Sequence, residues 1–204
     1  VTTAGIPLGG PLVQCFAPEP KSKEDDRPSS AIPIEEKKTF SWIVGFRDCV
    51  KMADEMPDTQ LVSVADREAD IFELFDEHRR NPSVELLVRA KHDRATMGDT
   101  NLFDTVAKTP VRSHLCIQVP RQSARPKKSK QKARPGHPKR TADVTLRFCS
   151  VELRPPRDLA HLAPIELRVI HVIEEHPPEG VPPLEWFLLT TLQLDSVEQA
   201  ETYL

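Results

Sequence analysis

Asp66 is the residue in this chain best placed to do chemistry. It closes Leu61-Val62-Ser63-Val64-Ala65, a short apolar, β-branched run of the kind that forms a strand buried on both faces. Beyond it Ile71, Leu74 and Phe75 recur at helical spacing, so Asp66 falls where a strand gives way to a helix. In open α/β sheets that rim gathers ligands, because side chains there are held rigidly yet reach solvent. Two roles suit a carboxylate in this place. It can take part in chemistry as a rigidly held carboxylate that reaches solvent. It can equally cap the helix by accepting orphan backbone N–H groups, with Glu68 and Asp70 suiting the positive end of the helix dipole.

Positive charge is the second signal, and it is concentrated. Between Arg121 and Arg140 lie nine basic residues and no acid: Arg121, Arg125, Lys127, Lys128, Lys130, Lys132, Arg134, Lys139 and Arg140. The formal net charge of the chain is −3, from 28 basic and 31 acidic residues, so the remainder without those nine carries about −12. The segment also contains proline and has no apolar side chain larger than alanine, which predicts a mobile hairpin loop able to bind phosphates without regard to sequence, or simply a solvated one. A smaller basic group, Arg89, Lys91, His92 and Arg94, lies at and just beyond the end of the predicted strand Val84 to Ala90. Clustered at a strand end, these residues can neutralise phosphates or form a solvated surface patch.

Several classes are set aside by composition. With 204 residues, 38% hydrophobic and 29% charged, the chain matches a globular protein large enough to bury a core. No apolar run approaches the length needed to cross a bilayer and no secretion signal is recognisable, which predicts a cytoplasmic protein without membrane partners. Cys15, Cys49, Cys116 and Cys149 are isolated singles, predicting reduced and mostly buried thiols rather than a zinc site or a disulfide framework. The seven histidines are scattered and none is assigned as a general base.

The elements that must position Asp66 follow from the patterning. A strand at Leu12 to Phe16 is entered through a Gly-Pro turn, and Pro18 to Pro33 reads as an exposed loop. Phe40, Trp42, Ile43, Phe46, Cys49, Val50 and Met52 lie on one face of a helix ending near Met56, with Trp42 in the core. The strand Gln60 to Ala65, a helix from about Glu68 to Arg79 and the strand Val84 to Ala90 complete a mixed α/β unit with right-handed crossovers. After Ala90 come a helical turn at Leu102 to Val106 and strands at Ser113 to Pro120, Ala142 to Leu153, Ile165 to Ile173 and Trp186 to Thr191. Four successive strands predict a mainly antiparallel sheet inserted into, or appended to, the α/β part. Ser196 caps a final helix. The expected organisation is a partial α/β core over 1–92, a mainly β insertion over 93–191 carrying the basic loop 121–140, and the start of a core helix over 192–204. Both ends read as continuing beyond Val1 and Leu204.

Four collinear strings carry a resemblance: Pro33-Ile34-Glu35-Glu36-Lys37 with Trp42; Asp66-Arg67-Glu68-Ala69-Asp70-Ile71; Arg89-Ala90-Lys91-His92 with Arg94; and Pro183-Leu184-Glu185-Trp186-Phe187-Leu188-Leu189-Thr190-Thr191. Together they resemble bacterial insertion-sequence transposases of the DDE class, the insertion-sequence-four type that includes the transposon-five enzyme. The resemblance implies an RNase H-like sheet, here incomplete, with a mainly antiparallel β insertion. It implies three carboxylates holding two Mg²⁺ or Mn²⁺ ions, which activate a water and stabilise the leaving 3′-oxygen of a phosphodiester. Asp66 matches the middle carboxylate as catalytic residue and metal ligand. The first and last would lie before Val1 and after Leu204, so the chain alone is expected to have little nuclease activity.

The same resemblance places Arg89, Lys91, His92 and Arg94 along the DNA end and Trp186 under a flipped base. The basic loop, with Arg125, Lys127, Lys128, Lys130, Lys132 and Arg134, adds sequence-independent DNA contacts. The implied partners are double-stranded transposon ends and target DNA, with a homodimer pairing two ends in the full-length complex. Two other readings stay open: a decayed or domesticated DNA-binding module without catalysis, and a small-molecule phosphotransferase using Asp66 at its own sheet edge.

Overall fold

The computed structural model describes residues 2, 6, 32–127, 133 and 135–204. The predicted strand Leu12 to Phe16 and the loop to Pro33 lie almost wholly outside them, as do Lys128, Lys130, Lys132 and Arg134 of the basic segment. The fold is mixed α/β, built on one six-stranded sheet. In chain order its elements are α1 (Phe40–Glu55), β1 (Leu61–Ala65), α2 (Phe72–Arg80), β2 (Val84–Arg89), α3 (Leu102–Ala107), β3 (Ser113–Val119), β4 (Arg140–Leu153), β5 (Ile165–Glu174), β6 (Glu185–Thr190) and α4 (Val197–Thr202).

The strands lie in the order β1-β2-β6-β5-β4-β3. β1 and β2 are parallel, as a pair joined through a helix must be, and every other neighbouring pair is antiparallel. The long antiparallel meander is thus joined edge-on to the parallel pair, through the pairing of β6 with β2.

Alternation along the strands sends apolar side chains to both faces. On one face Leu86, Val88, Leu167, Val169, Val151 and Leu189 pack against Ile43 and Phe46 of α1, Phe72 and Phe75 of α2, and Leu102 and Val106 of α3. On the other, Val144, Leu146, Ile170 and Val172 pack against Leu194 and against Ala200 of α4. That short helix is held by a capping box in which Ser196 and Gln199 satisfy each other's backbone N–H groups.

β1 departs from expectation. It is not buried on both faces: Leu61, Ser63 and Ala65 turn inward, whereas Val62 and Val64 are 37% and 69% exposed. The reason is topological, since β1 is an edge strand covered on one side only. The helix expected from Glu68 is also divided. A 3-10 turn at Arg67–Ala69 comes first, and α2 starts only at Phe72. Nor are the thiols uniformly buried. Cys116 is exposed on β3, where its Sγ donates to Asp143 Oδ1 at 2.8 Å, a contact that pushes the thiol pKa up.

Candidate functional site at the sheet rim

Three neighbouring strands bring their ends to one rim. Ala65 is paired with Val88 in the parallel ladder, so Asp66 and Arg89 leave it side by side. Arg89 is in turn opposite Leu188 of antiparallel β6, which places Trp186 near the start of that strand at the same level. The loop Lys91 to Arg94 continues from β2 at this rim.

Asp66 is exposed, and its extended backbone makes it the cap of the 3-10 turn. Its Oδ1 accepts the Glu68 N–H at 2.8 Å. The capping role is therefore real, and it leaves Oδ2 without a partner among the described residues. A cap of this kind fixes the carboxylate's direction without consuming it.

Arg89 is the electrostatic anomaly of the rim. Its guanidinium lies over the Trp186 ring, 6.0 Å from the centroid, and its Nη2 reaches the Glu185 carbonyl at only 3.5 Å. Nε is enclosed without a hydrogen-bond partner, and no carboxylate pairs with this side chain among the described residues. Burial pushes its pKa below the ordinary guanidinium value, and the neighbouring positive charge of Arg67 pushes the same way. A cation that is partly desolvated, flanked by a like charge and unpaired is arranged to receive an anion. The half-buried Trp186 beside it offers an aromatic face.

The remaining expected contacts separate into two groups. Lys91 and His92 are exposed, so their side chains are available to a ligand, as are those of Arg125 and Lys127 on the basic segment. Arg94 is different. Its Nε donates to Asp70 Oδ1 at 2.9 Å and its Nη2 to the Asp70 carbonyl at 2.6 Å, and its side chain is only 14% exposed. Arg140 is likewise engaged, making a bidentate pair with the buried Glu174 and holding that carboxyl below its usual range.

The stem of the basic segment is ordered. Gln122 and His137 exchange backbone hydrogen bonds at 2.8 and 2.9 Å across it. Gly136 is required there, because a Cβ would meet the Ala124 nitrogen at 2.8 Å and the Gln122 oxygen at 2.9 Å.

Sequence reasoning passed over Arg67 and gave Asp70 only a dipole role. Arg67 could have been found from its place next to Asp66 at the strand end. Asp70 could not, since its partners lie more than twenty positions away.

Asp66 has no companion ligands gathered around it among the described residues. Among the described residues no group of three or more His, Cys, Asp or Glu gathers in a way that could hold a metal ion. One carboxylate, with one oxygen already capping, cannot by itself hold two ions. No family model matches the chain.

Proposed function

We propose that this chain is the central, DNA-engaging part of a DDE-type transposase with an RNase H-like core, acting on the ends of double-stranded DNA in the bacterial cytoplasm. The observation that carries the reading is the unpaired Arg89 guanidinium lying over Trp186 at the same rim as Asp66. A phosphate would neutralise Arg89 and Arg67, and a base lifted from its stack would find an aromatic surface in Trp186. Lys91, His92, Arg125 and Lys127 extend this cationic surface. In a complete enzyme, cleavage and strand transfer would require Mg²⁺ or Mn²⁺ held by Asp66 with further carboxylates, and a homodimer to pair two ends. With no companion carboxylates gathered at Asp66 among the described residues, the chain is expected to bind DNA and cleave it little.

The second reading, a non-catalytic DNA-binding module, is favoured by the absence of companion carboxylates among the described residues. Both readings require that binding weaken linearly on a logarithmic salt axis, because bound phosphates release counterions. Anisotropy of a labelled duplex titrated at several salt concentrations measures this, and a chain that ignores DNA contradicts both. Mg²⁺-dependent cleavage by the full-length protein, abolished by Asp66→Asn, selects the enzyme, whereas binding without cleavage selects the module.

No helix among the described residues is long and apolar enough to cross a membrane.

A further inference from the structure

Asp70 is 2% exposed, yet it is ionisable and lies beside a functional rim. Its acceptor capacity is almost filled. Oδ2 takes the backbone N–H groups of Lys91 at 2.7 Å and His92 at 2.9 Å, and Oδ1 takes Arg94 Nε at 2.9 Å. The Asp70 carbonyl takes Arg94 Nη2 at 2.6 Å. One carboxylate thus ties the loop leaving β2 to the turn that begins with Asp66. Four hydrogen bonds at one enclosed residue, two from backbone and two from a guanidinium, fix the relative placement of both loops.

We propose that Asp70 and Arg94 are a positioning pair for the rim: Arg94 touches no ligand, and the pair sets where Asp66, Lys91 and His92 stand when a phosphate-bearing strand arrives. This rests on the reading under Proposed function. It removes Arg94 from the set of direct phosphate contacts and gives Asp70 a role that its place in the Asp66–Ile71 string does not reveal.

The test uses Arg94→Lys, which keeps the positive charge but cannot make the paired bonds of the planar fork. It adds Asp70→Asn, whose amide would set a donor against Arg94 Nε, the charge-removing Arg94→Gln, and the double variant Asp70→Asn with Arg94→Gln, in which amide can again meet amide. Anisotropy of a fluorescein-labelled duplex is read against salt for each, alongside thermal unfolding and amide exchange at Lys91 and His92.

Positioning predicts that Arg94→Lys and Asp70→Asn each bind roughly tenfold more weakly with an unchanged salt slope. The amides of Lys91 and His92 should exchange faster in both, and the double variant should bind more tightly than either. If Arg94→Lys binds like the parent while Arg94→Gln lowers the slope by about one, Arg94 contacts phosphate directly and the proposal is overturned. If both single variants lose thermal stability but bind normally, the pair is structural only, which also overturns it. Failure of the parent chain itself to bind DNA removes the proposed function, and the positioning role with it.

Discussion

Arg94 and Arg89 leave the same strand end and meet opposite surroundings. Arg94 is enclosed against a buried carboxylate that accepts from it and from two backbone amides. Arg89 is partly enclosed with no carboxylate at all among the described residues, against an aromatic ring and near a second guanidinium. Burying a charge is costly unless it is paired, so the first arrangement belongs to folding and the second needs another explanation. The lesson is that a basic cluster read from sequence is not one thing. Its members divide into those the fold has already neutralised and those without a carboxylate partner among the described residues, and the second kind are the candidates for contact with a ligand.

The largest effect is expected from removing the carboxylate on the paired side. Asp70→Ala leaves the Arg94 charge and the Lys91 and His92 amides without their acceptor, and should cost about 3–5 kcal/mol in denaturant unfolding. A loss under about 1 kcal/mol would mean that water takes over the pairing and that the two arginines differ less than described.

On the unpaired side the cost falls on binding. Trp186→Leu keeps an apolar side chain over the second core cluster, and should weaken binding of a duplex with an unpaired terminal base by about 1–3 kcal/mol while leaving blunt duplex binding nearly unchanged. Equal weakening for both probes would show that the ring packs but does not stack. Arg89→Gln should leave folding stability within about 0.5 kcal/mol of the parent, since no ion pair is lost. It should also lower the salt slope of DNA binding by about one. A marked loss of stability would place Arg89 with Arg94.

The smallest effect concerns pH. His171 is buried, stacked on Phe187 at 4.2 Å between ring centroids, with Nε2 2.9 Å from Glu185 Oε1 and Nδ1 without a partner. Burial pushes its pKa below the ordinary histidine value; Glu185 raises it in part, and Arg147 lowers it. Because the folded value lies below the unfolded one, the unfolded chain binds the proton more readily. The stability is thus complete above the unfolded value, roughly 6.5, and is lost as pH falls through it. His171→Phe, which extends the aromatic stack, should give a shallower decline in unfolding free energy between about pH 7.5 and 5.5. Part of the decline should persist, since burial also lowers the pKa of His78.

Much of the fold was legible because it is local. The apolar spacing of α1, the β-branched runs of β1 and β2, the four later strands and the Ser196 cap all announce themselves within a few residues of one another. So did the capping geometry of Asp66. The exposed face of β1 was not legible, because a strand's own side chains do not say whether a second layer covers it. Nor were the partners of Arg94 and Arg140, since Asp70 and Glu174 reach them only through the tertiary fold. Four basic residues therefore looked alike at the end of β2, although the fold had already claimed one.

Whether the rim at Arg89 and Trp186 receives nucleic acid can be read by fluorescence. The chain has two tryptophans, so Trp42→Phe leaves Trp186 as the sole emitter. Titrating this variant with a duplex bearing an unpaired terminal base should quench the emission in step with the anisotropy of the labelled DNA, and added salt should reverse both together. Saturated anisotropy with unaltered Trp186 emission would mean that DNA sits elsewhere on the protein, contradicting the account.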